Sequence, residues 1–371
     1  MSYSRYVSAT WRTWVPLVLK IATAVLLAGA LYYQLFVAHS FGELYAEFLA
    51  RLAVAPAWMP IAIAALVPLN IGLEAYKFAR LLPPSRRPTL WEATARVCAG
   101  LTVGLFTPNR VGEYLGRLTY AYPGERAATV VATLLGGAAQ WLPLLWGGAA
   151  AALCWPLLTE AGAPIESLRV ATAGILGLLL LAGFFRLRPL VTQLGRALGW
   201  ITRRLPSPRL REQLEVVRTR ILSLGHAAAA RPRDLRLAFA ISGFRYAVYL
   251  TQLALAFGYF GLSAPPTVAV AGTAAILLAQ TFIPLPAVLQ ALARIELARL
   301  LWGGYAPNEV GLATASVLIF VLNLGLPALV GLVVIARSDV AKTFGPDPLR
   351  EPQRSGAGAR AGVVRSVVER R

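Results

Sequence analysis

Long apolar runs alternate with short arginine-rich segments along this chain. An α-helix of about 20 apolar residues is long enough to cross a bilayer. Runs that predict spanning helices cover residues 14–38, 58–73, 127–158, 170–185, 237–257 and 310–336. The first run is too long for a removable signal peptide and lacks a small-residue cleavage pattern. An amphipathic stretch over 41–52 is predicted to lie on the outer face. The pattern predicts an all-α, polytopic membrane helix bundle.

Composition agrees with this class of protein. Hydrophobic residues make up 57% of the 371 residues and charged residues 14%, whereas soluble domains carry about 25% charged residues. The net charge of +19 comes mostly from arginines between the apolar runs. Such residues are typical of cytoplasmic loops facing anionic lipid, so nucleic acid is not a predicted partner. We expect a multi-pass protein of a bacterial-type inner (plasma) membrane, with both termini cytoplasmic.

The basic segments also define the predicted domain organisation. Residues 186–236 contain 12 arginines and three acidic residues, which predicts a basic cytoplasmic hairpin. The chain is predicted to form a single transmembrane domain over 1–336. The basic tail over 337–371 is predicted to be a disordered cytoplasmic segment.

This order of spans keeps the basic segments on the cytoplasmic side only if two segments enter the membrane and return to the same side. Residues 89–121 would enter from the cytoplasm, and residues 267–302 would enter from outside. Each half of the chain then contains two spans, a re-entrant helical hairpin and a long span. The halves cover about 1–160 and 161–336. Because the halves begin on opposite sides, they are predicted to be inverted-topology repeats.

The first re-entrant segment contains the polar stretch TPNRVGEYLGR at 107–117. Glu113 and Arg117 are four residues apart and share a helix face. Arg110 and Asn109 lie at a turn where we expect the following helix to offer free N–H groups to an anion. An ordinary cytoplasmic loop with a surface Glu113–Arg117 pair is the alternative. The candidate site residues here are Asn109, Arg110, Glu113 and Arg117, supported by Pro108 and Gly112.

The second re-entrant segment is broken by two prolines, Pro284 and Pro286. Gln290 and Arg294 are four residues apart and are candidate site residues. Arg294 and Glu296 cannot face the same way at a spacing of two residues, so Arg294 is favoured for the cavity and Glu296 for a supporting role. The alternative is that Arg294 and Arg299 extend to the outer headgroups.

Three further charged residues lie in the spans, and the sequence does not assign all of their roles. Glu74 and Lys77, three residues apart at the end of the second span, are predicted to form a structural ion pair near the inner interface. Arg245 either extends to the interface or lines a cavity.

Two isolated histidines and two cysteines in apolar runs give no metal site or catalytic triad, and no Walker-type glycine loop is present. No cofactor and no enzymatic activity are predicted.

The stretch GLFTPNRVGEYLGR at 104–117 resembles the flippase-like family, related to the transmembrane domain of lysylphosphatidylglycerol synthase (the multiple peptide resistance factor). The matching residues are Thr107, Pro108, Arg110, Gly112 and Glu113. Two departures matter: no glycine lies between Pro284 and Glu296, and no synthase domain follows the last span. The resemblance therefore implies a stand-alone translocation module.

These observations lead to one function and two alternatives. The protein is predicted to be a translocase for membrane lipids with an anionic or phosphate-bearing headgroup, either an anionic phospholipid or a polyprenyl-phosphate-linked lipid. Homo-oligomers are possible. The first alternative is a non-catalytic membrane scaffold or accessory subunit, and the second is a membrane enzyme acting on a lipid phosphate.

Overall fold

The computed structural model describes residues 41–107, 110–121, 125–159, 232–283, 289–302 and 309–338, together with a few isolated positions. The predicted spans over 14–38 and 170–185 lie outside this part, apart from single positions. So do nearly all of the basic hairpin 186–236 and of the tail 337–371. The described residues are helical and contain no β-strand, which confirms the all-α prediction.

The described residues form ten α-helices: α1 (Phe41–Val54), α2 (Trp58–Leu81), α3 (Leu90–Gly104), α4 (Gly112–Leu118), α5 (Arg126–Thr159), α6 (Pro232–Tyr259), α7 (Pro266–Phe282), α8 (Gln290–Trp302), α9 (Glu309–Phe320) and α10 (Leu326–Arg337). A 3₁₀-helix (Pro84–Arg86) precedes α3, and a π-helix (Val321–Gly325) joins α9 to α10 without a break.

Three of these helical stretches are long and apolar enough to cross a membrane, namely Trp58–Leu81, Arg126–Ala151 and Glu309–Arg337. The chain is therefore a helical membrane protein. α6 has 28 residues and covers the predicted span 237–257, but polar residues such as Arg245 and Gln252 reduce its apolar character. α2 continues eight residues beyond the predicted end at 73, because Glu74 and Lys77 neutralise each other within it.

α2 and α6 form the antiparallel centre of the bundle. The side chain of Gln252 donates to the Ile63 carbonyl at 2.8 Å. Near the other end of the pair, Arg80 donates to Asp234 at 3.1 Å. α6 therefore begins where α2 ends, and this relationship orients the rest of the bundle.

α3 and α4 pack against each other as a helical hairpin, termed hairpin 1 (residues 90–118). A capping box between Thr89 and Glu92 starts α3. The two helices approach closely at Gly116, where a Cβ atom would lie 2.2 Å from the Ala99 carbonyl oxygen. Small residues allow such backbone approach inside membranes.

α7 and α8 form hairpin 2 (residues 266–302). Pro265 and Pro266 start α7, and the fully buried Trp302 of α8 contacts Gly272 of α7. Hairpin 1 begins and ends at the end of the bundle where α2 stops. Hairpin 2 begins and ends at the opposite end, where α6 stops, so the two hairpins extend toward each other.

The last long helix is widened by a π turn at Val321–Gly325. Pro327 has no backbone N–H, so the regular hydrogen bond to the carbonyl four residues earlier cannot form. π turns are frequent at functional sites. This turn places Asn323 and Leu324 beside the space between the two hairpins.

Candidate functional site

A cavity of about 340 Å³ lies between the facing ends of the two hairpins, and α2, α5, α6 and the π turn complete its wall. Seven of the residues singled out from the sequence line it, namely Glu74, Lys77, Arg110, Glu113, Arg117, Gln290 and Arg294. The structure thus brings together candidates that are more than 200 positions apart in the chain. Both hairpins contribute charged side chains to one chamber.

Of the remaining site candidates, the two that the structure describes, Glu296 and Gly112, do not line the cavity. Glu296 is 69% exposed and pairs with Arg299 at 3.0 Å, away from the cavity. This placement agrees with the preference for Arg294 over Glu296. Gly112 is buried in the helix contact of hairpin 1, where a Cβ atom would lie 2.4 Å from the Val103 carbonyl oxygen. Pro108, Asn109 and Pro284 fall outside the described residues.

Glu74 is the centre of an ion-pair cluster on one wall of the cavity. Its carboxylate accepts from Lys77 at 2.7 Å and from Arg117 at 2.9 Å, and it also contacts Arg245. The predicted Glu74–Lys77 ion pair is therefore present, within a larger cluster. The cluster joins α2, hairpin 1 and α6, because one carboxylate neutralises cations from all three.

Arg245, whose position the sequence left open, lines the cavity. Its Nε donates to the side chain of Asn70 at 2.9 Å and its Nη1 donates to Gln140 at 3.0 Å. Asn70 and Gln140 were missed by the sequence analysis. Each is a polar residue in a long apolar run, and Asn70 lies one helical turn before Glu74, which could have indicated a shared polar face.

A second group of amides was also missed. Asn323 of the π turn donates to Gln252 at 2.9 Å, and both residues are buried. Paired amides satisfy each other where no water is present. This group holds the π turn against α6, so Asn323 keeps a fixed position in the cavity wall.

Hairpin 1 contributes a second carboxylate. Glu113 pairs with Arg117 at 3.2 Å, as its helix spacing predicted, and lies 3.6 Å from Arg110. Arg110 has a φ of 58°, a left-handed conformation that is uncommon for a residue other than glycine. Such backbone strain is concentrated at functional sites. The guanidinium of Arg110 is 40% exposed and lies on the cavity wall.

The expectation that α4 offers free N–H groups to an anion is wrong. The N–H of Gly112 donates to the Thr107 hydroxyl at 2.7 Å, and the N–H of Glu113 donates to the Arg110 carbonyl at 2.9 Å. The turn residues therefore satisfy the start of this seven-residue helix internally. An anion in the cavity has to be bound by side chains.

Arg294 of hairpin 2 differs from the other buried cations because no carboxylate among the described residues pairs with it. Its side chain donates to Gln280 at 3.2 Å and to the Tyr249 hydroxyl at 3.0 Å. The residue is 2% exposed, and its Nη1 has no hydrogen-bond partner among the described residues. An uncompensated buried charge costs several kcal/mol, about 3–5 where a partner has been removed. A bound anion would recover much of that energy.

The charges of the cavity wall favour an anion. The described residues of the wall carry five cationic side chains, at Lys77, Arg110, Arg117, Arg245 and Arg294, and two carboxylates, at Glu74 and Glu113, for a formal charge of +3. Guanidinium groups bind phosphate and carboxylate through paired donors. Within the described ranges, no group of three or more His, Cys, Asp or Glu side chains is placed to hold a metal ion.

Compared with family models, with curated proteins and with solved structures, the chain matches none of them. The fold and the site together define a helical membrane protein with a positively charged cavity.

Proposed function

We propose that this protein moves a lipid with an anionic or phosphate-bearing headgroup between the two leaflets of a membrane. The observation that carries the proposal is Arg294, a buried guanidinium with no acidic partner in the described structure and one unpaired Nη1, in a cavity of net positive charge. Buried charges in membrane proteins are costly and mark substrate pathways. The resemblance of 104–117 to the flippase-like family points to the same function.

In this proposal both hairpins are re-entrant. The helices of hairpin 1 have 15 and 7 residues, about 22 and 10 Å, which is shorter than the hydrocarbon core of about 30 Å. The helices of hairpin 2 have 17 and 13 residues. Each hairpin would turn back inside the bilayer, and the two halves would be inverted repeats on either side of the cavity.

The distribution of charge at the two ends of the bundle supports an orientation. The end where α2 stops and α6 starts carries a set of arginines, namely Arg80, Arg86, Arg87, Arg233, Arg236 and Arg337. Among the described residues, the opposite end carries two arginines, Arg51 and Arg299, beside Glu296 and Glu309. Cytoplasmic loops are enriched in Lys and Arg, so hairpin 1 would enter from the cytoplasm of a plasma membrane and hairpin 2 from outside.

The two hairpins suggest how a headgroup is transferred. A phosphate that enters beside hairpin 1 would replace the Glu113 carboxylate at Arg110 and Arg117. Arg294 would then bind the phosphate from the side of hairpin 2. Glu113 is the exchangeable anion of the site, because Arg117 keeps Glu74 as a second partner. Transport would be downhill or coupled to an ion gradient.

Reconstitution in liposomes tests this proposal. Fluorescent phosphatidylglycerol and a polyprenyl phosphate are placed in one leaflet, and their exchange is followed by quenching from outside. Arg294→Ala should lower exchange at least ten-fold. Arg299→Ala is the matched control, because Arg299 lies on the same helix, is 39% exposed and pairs with Glu296 and Glu309 outside the cavity.

Two results would contradict the proposal. One is wild-type exchange no faster than protein-free liposomes for both lipids. The other is equal exchange by wild type and Arg294→Ala. Co-purification of one stoichiometric protein partner, with no lipid exchange, would support the scaffold function instead.

A further inference from the structure

We propose that the cavity opens sideways to the bilayer between α5 and the end of hairpin 2, and that the hydrocarbon chain of the substrate stays in the membrane through this opening while its headgroup occupies the cavity. The opening is framed by Gly137 and Trp141 of α5 and by Phe282 of α7. The inference rests on the proposed function and specifies its substrate as an amphiphile rather than a water-soluble anion.

Volume gives the first reason for such an opening. Ligand pockets of about 300–1,000 Å³ enclose most of a drug-sized molecule, and this cavity of about 340 Å³ lies at the small end of that range. A phosphate with a small attached group fits that space. The hydrocarbon chains of a membrane lipid add dozens of further heavy atoms, so they have to remain outside the cavity.

α5 provides the rim of the opening. Trp141 lines the cavity, and 42% of its surface is exposed. Gly137, one helical turn earlier, also lines the cavity, and a Cβ atom at this position would meet nothing within 4 Å. One further turn back, Leu134 is 46% exposed. The face of α5 that carries these residues thus belongs both to the cavity wall and to the outer apolar surface.

Hairpin 2 provides the opposite rim. Phe282 is 63% exposed and its ring packs edge-on against Trp141, with centroids 6.4 Å apart at 76°. This aromatic pair bridges α5 and α7 at the surface. Exposed aromatic rings on a membrane helix contact lipid chains at no polar cost, so the pair is suited to lie along a hydrocarbon chain.

The same rim connects directly to the anion site. Gln280 lies two residues before Phe282 and accepts a hydrogen bond from Arg294 at 3.2 Å. Thr281, between them, also lines the cavity. A headgroup bound at Arg294 would therefore lie within one helical turn of the opening, and its attached chain would leave the cavity past Phe282 and Trp141.

A size series at Gly137 tests this opening in reconstituted full-length protein. Gly137→Ala, Gly137→Leu and Gly137→Phe should lower the exchange of fluorescent phosphatidylglycerol progressively, with at least a ten-fold loss for the largest side chain. Binding of water-soluble glycerol phosphate, followed by calorimetry, should stay within two-fold of wild type. Gly258→Leu is the matched control, since Gly258 is also helical with open space around it but does not line the cavity.

The outcomes separate this inference from the proposed function. Undiminished lipid exchange in Gly137→Phe overturns the lateral opening, even if Arg294→Ala still abolishes exchange. Parallel loss of lipid exchange and glycerol phosphate binding also overturns it, because the added side chain would then be filling the anion site. Trp141→Ala gives a second measurement if the larger Gly137 variants fail to fold: exchange of the polyprenyl phosphate should rise at least three-fold, and an unchanged rate contradicts the inference.

Discussion

Arg117 and Glu74 connect hairpin 1 to the centre of the bundle: Nη2 of Arg117 lies 2.9 Å from Oε1 of Glu74, and both residues are buried. Glu74 also neutralises Lys77 and Arg245. One carboxylate thus compensates three cations from three different elements, and the stability of the bundle should depend on it.

Glu74→Gln should lower the free energy of unfolding by about 3–5 kcal/mol, since it leaves buried cations without their counter-ion. Thermal unfolding in detergent, followed by circular dichroism or fluorescence, measures the effect. Glu296→Gln is the control, because its ion pair is exposed and should contribute less than about 1 kcal/mol. Partial rescue in Glu74→Gln/Lys77→Met would show that the loss comes from the uncompensated charge. Equal melting temperatures for Glu74→Gln and wild type would contradict the role of Glu74.

Arg110 combines an unusual backbone conformation with a charged side chain, and two substitutions separate these properties. Arg110→Gly should be at least as stable as wild type, because glycine adopts a φ of 58° without the strain of a side chain. Arg110→Ala should be no more stable than wild type. Both variants should lose lipid exchange if the guanidinium binds the headgroup, and Arg110→Lys should retain part of it. Full exchange by Arg110→Gly would limit the residue to a role in the turn.

Gly116 is predicted to be intolerant of even one added methyl group. In Gly116→Ala the Cβ atom would lie 2.2 Å from the Ala99 carbonyl oxygen, so α3 and α4 would have to separate. Overpacking of this kind costs about 1–3 kcal/mol, measurable as a lower melting temperature. Gly72→Ala is the control, because its Cβ atom would meet nothing within 4 Å, and it should not destabilise the protein.

Asp234 fixes the start of α6 to the connection between α2 and α3. It accepts from Arg80 at 3.1 Å and from Arg87 at 2.9 Å. Asp234→Asn should lower the free energy of unfolding by about 2 kcal/mol, reduced from the value of a fully buried pair because both arginines are partly exposed. It should also increase proteolysis in the connection over 82–89. Glu309→Gln, which removes an exposed charge, should change neither measurement.

The orientation of the hairpins can be tested with single cysteines at positions 109 and 290, after Cys98 and Cys154 are replaced by alanine. A membrane-impermeant maleimide should label position 109 only from the cytoplasmic side and position 290 only from outside. Labelling of both positions from the same side would contradict the inverted arrangement. The same labelling of an Arg294→Ala variant is the control for a change in the shape of the cavity.

Local patterns predicted much of this structure. The lengths of the apolar runs predicted α5 and the α9–α10 helix to within one residue at each end. The spacing of Glu113 and Arg117 predicted their contact, and the spacing of Arg294 and Glu296 predicted that only one of them faces the cavity. These relationships depend on helix geometry alone, which the sequence contains.

Contacts between different helices were harder to predict from the sequence. The contact of Arg245 with Glu74 depends on the register between α2 and α6, which no local pattern specifies. The error at the start of α4 has a similar cause, because the Thr107 hydroxyl binds the Gly112 N–H only once the turn has formed. The amide pair of Asn323 and Gln252 depends on a π turn that the apolar pattern does not reveal.

The shortness of the two opposed hairpins has an electrical consequence for the proposed translocase. Only a short length of protein would separate the central cavity from water on each side, so the membrane voltage would fall steeply across two thin partitions. Moving one elementary charge through 100 mV is worth about 2.3 kcal/mol. In a cell with a negative interior, a headgroup of charge −1 would be driven outward by about that amount, so the resting voltage would favour outward over inward movement.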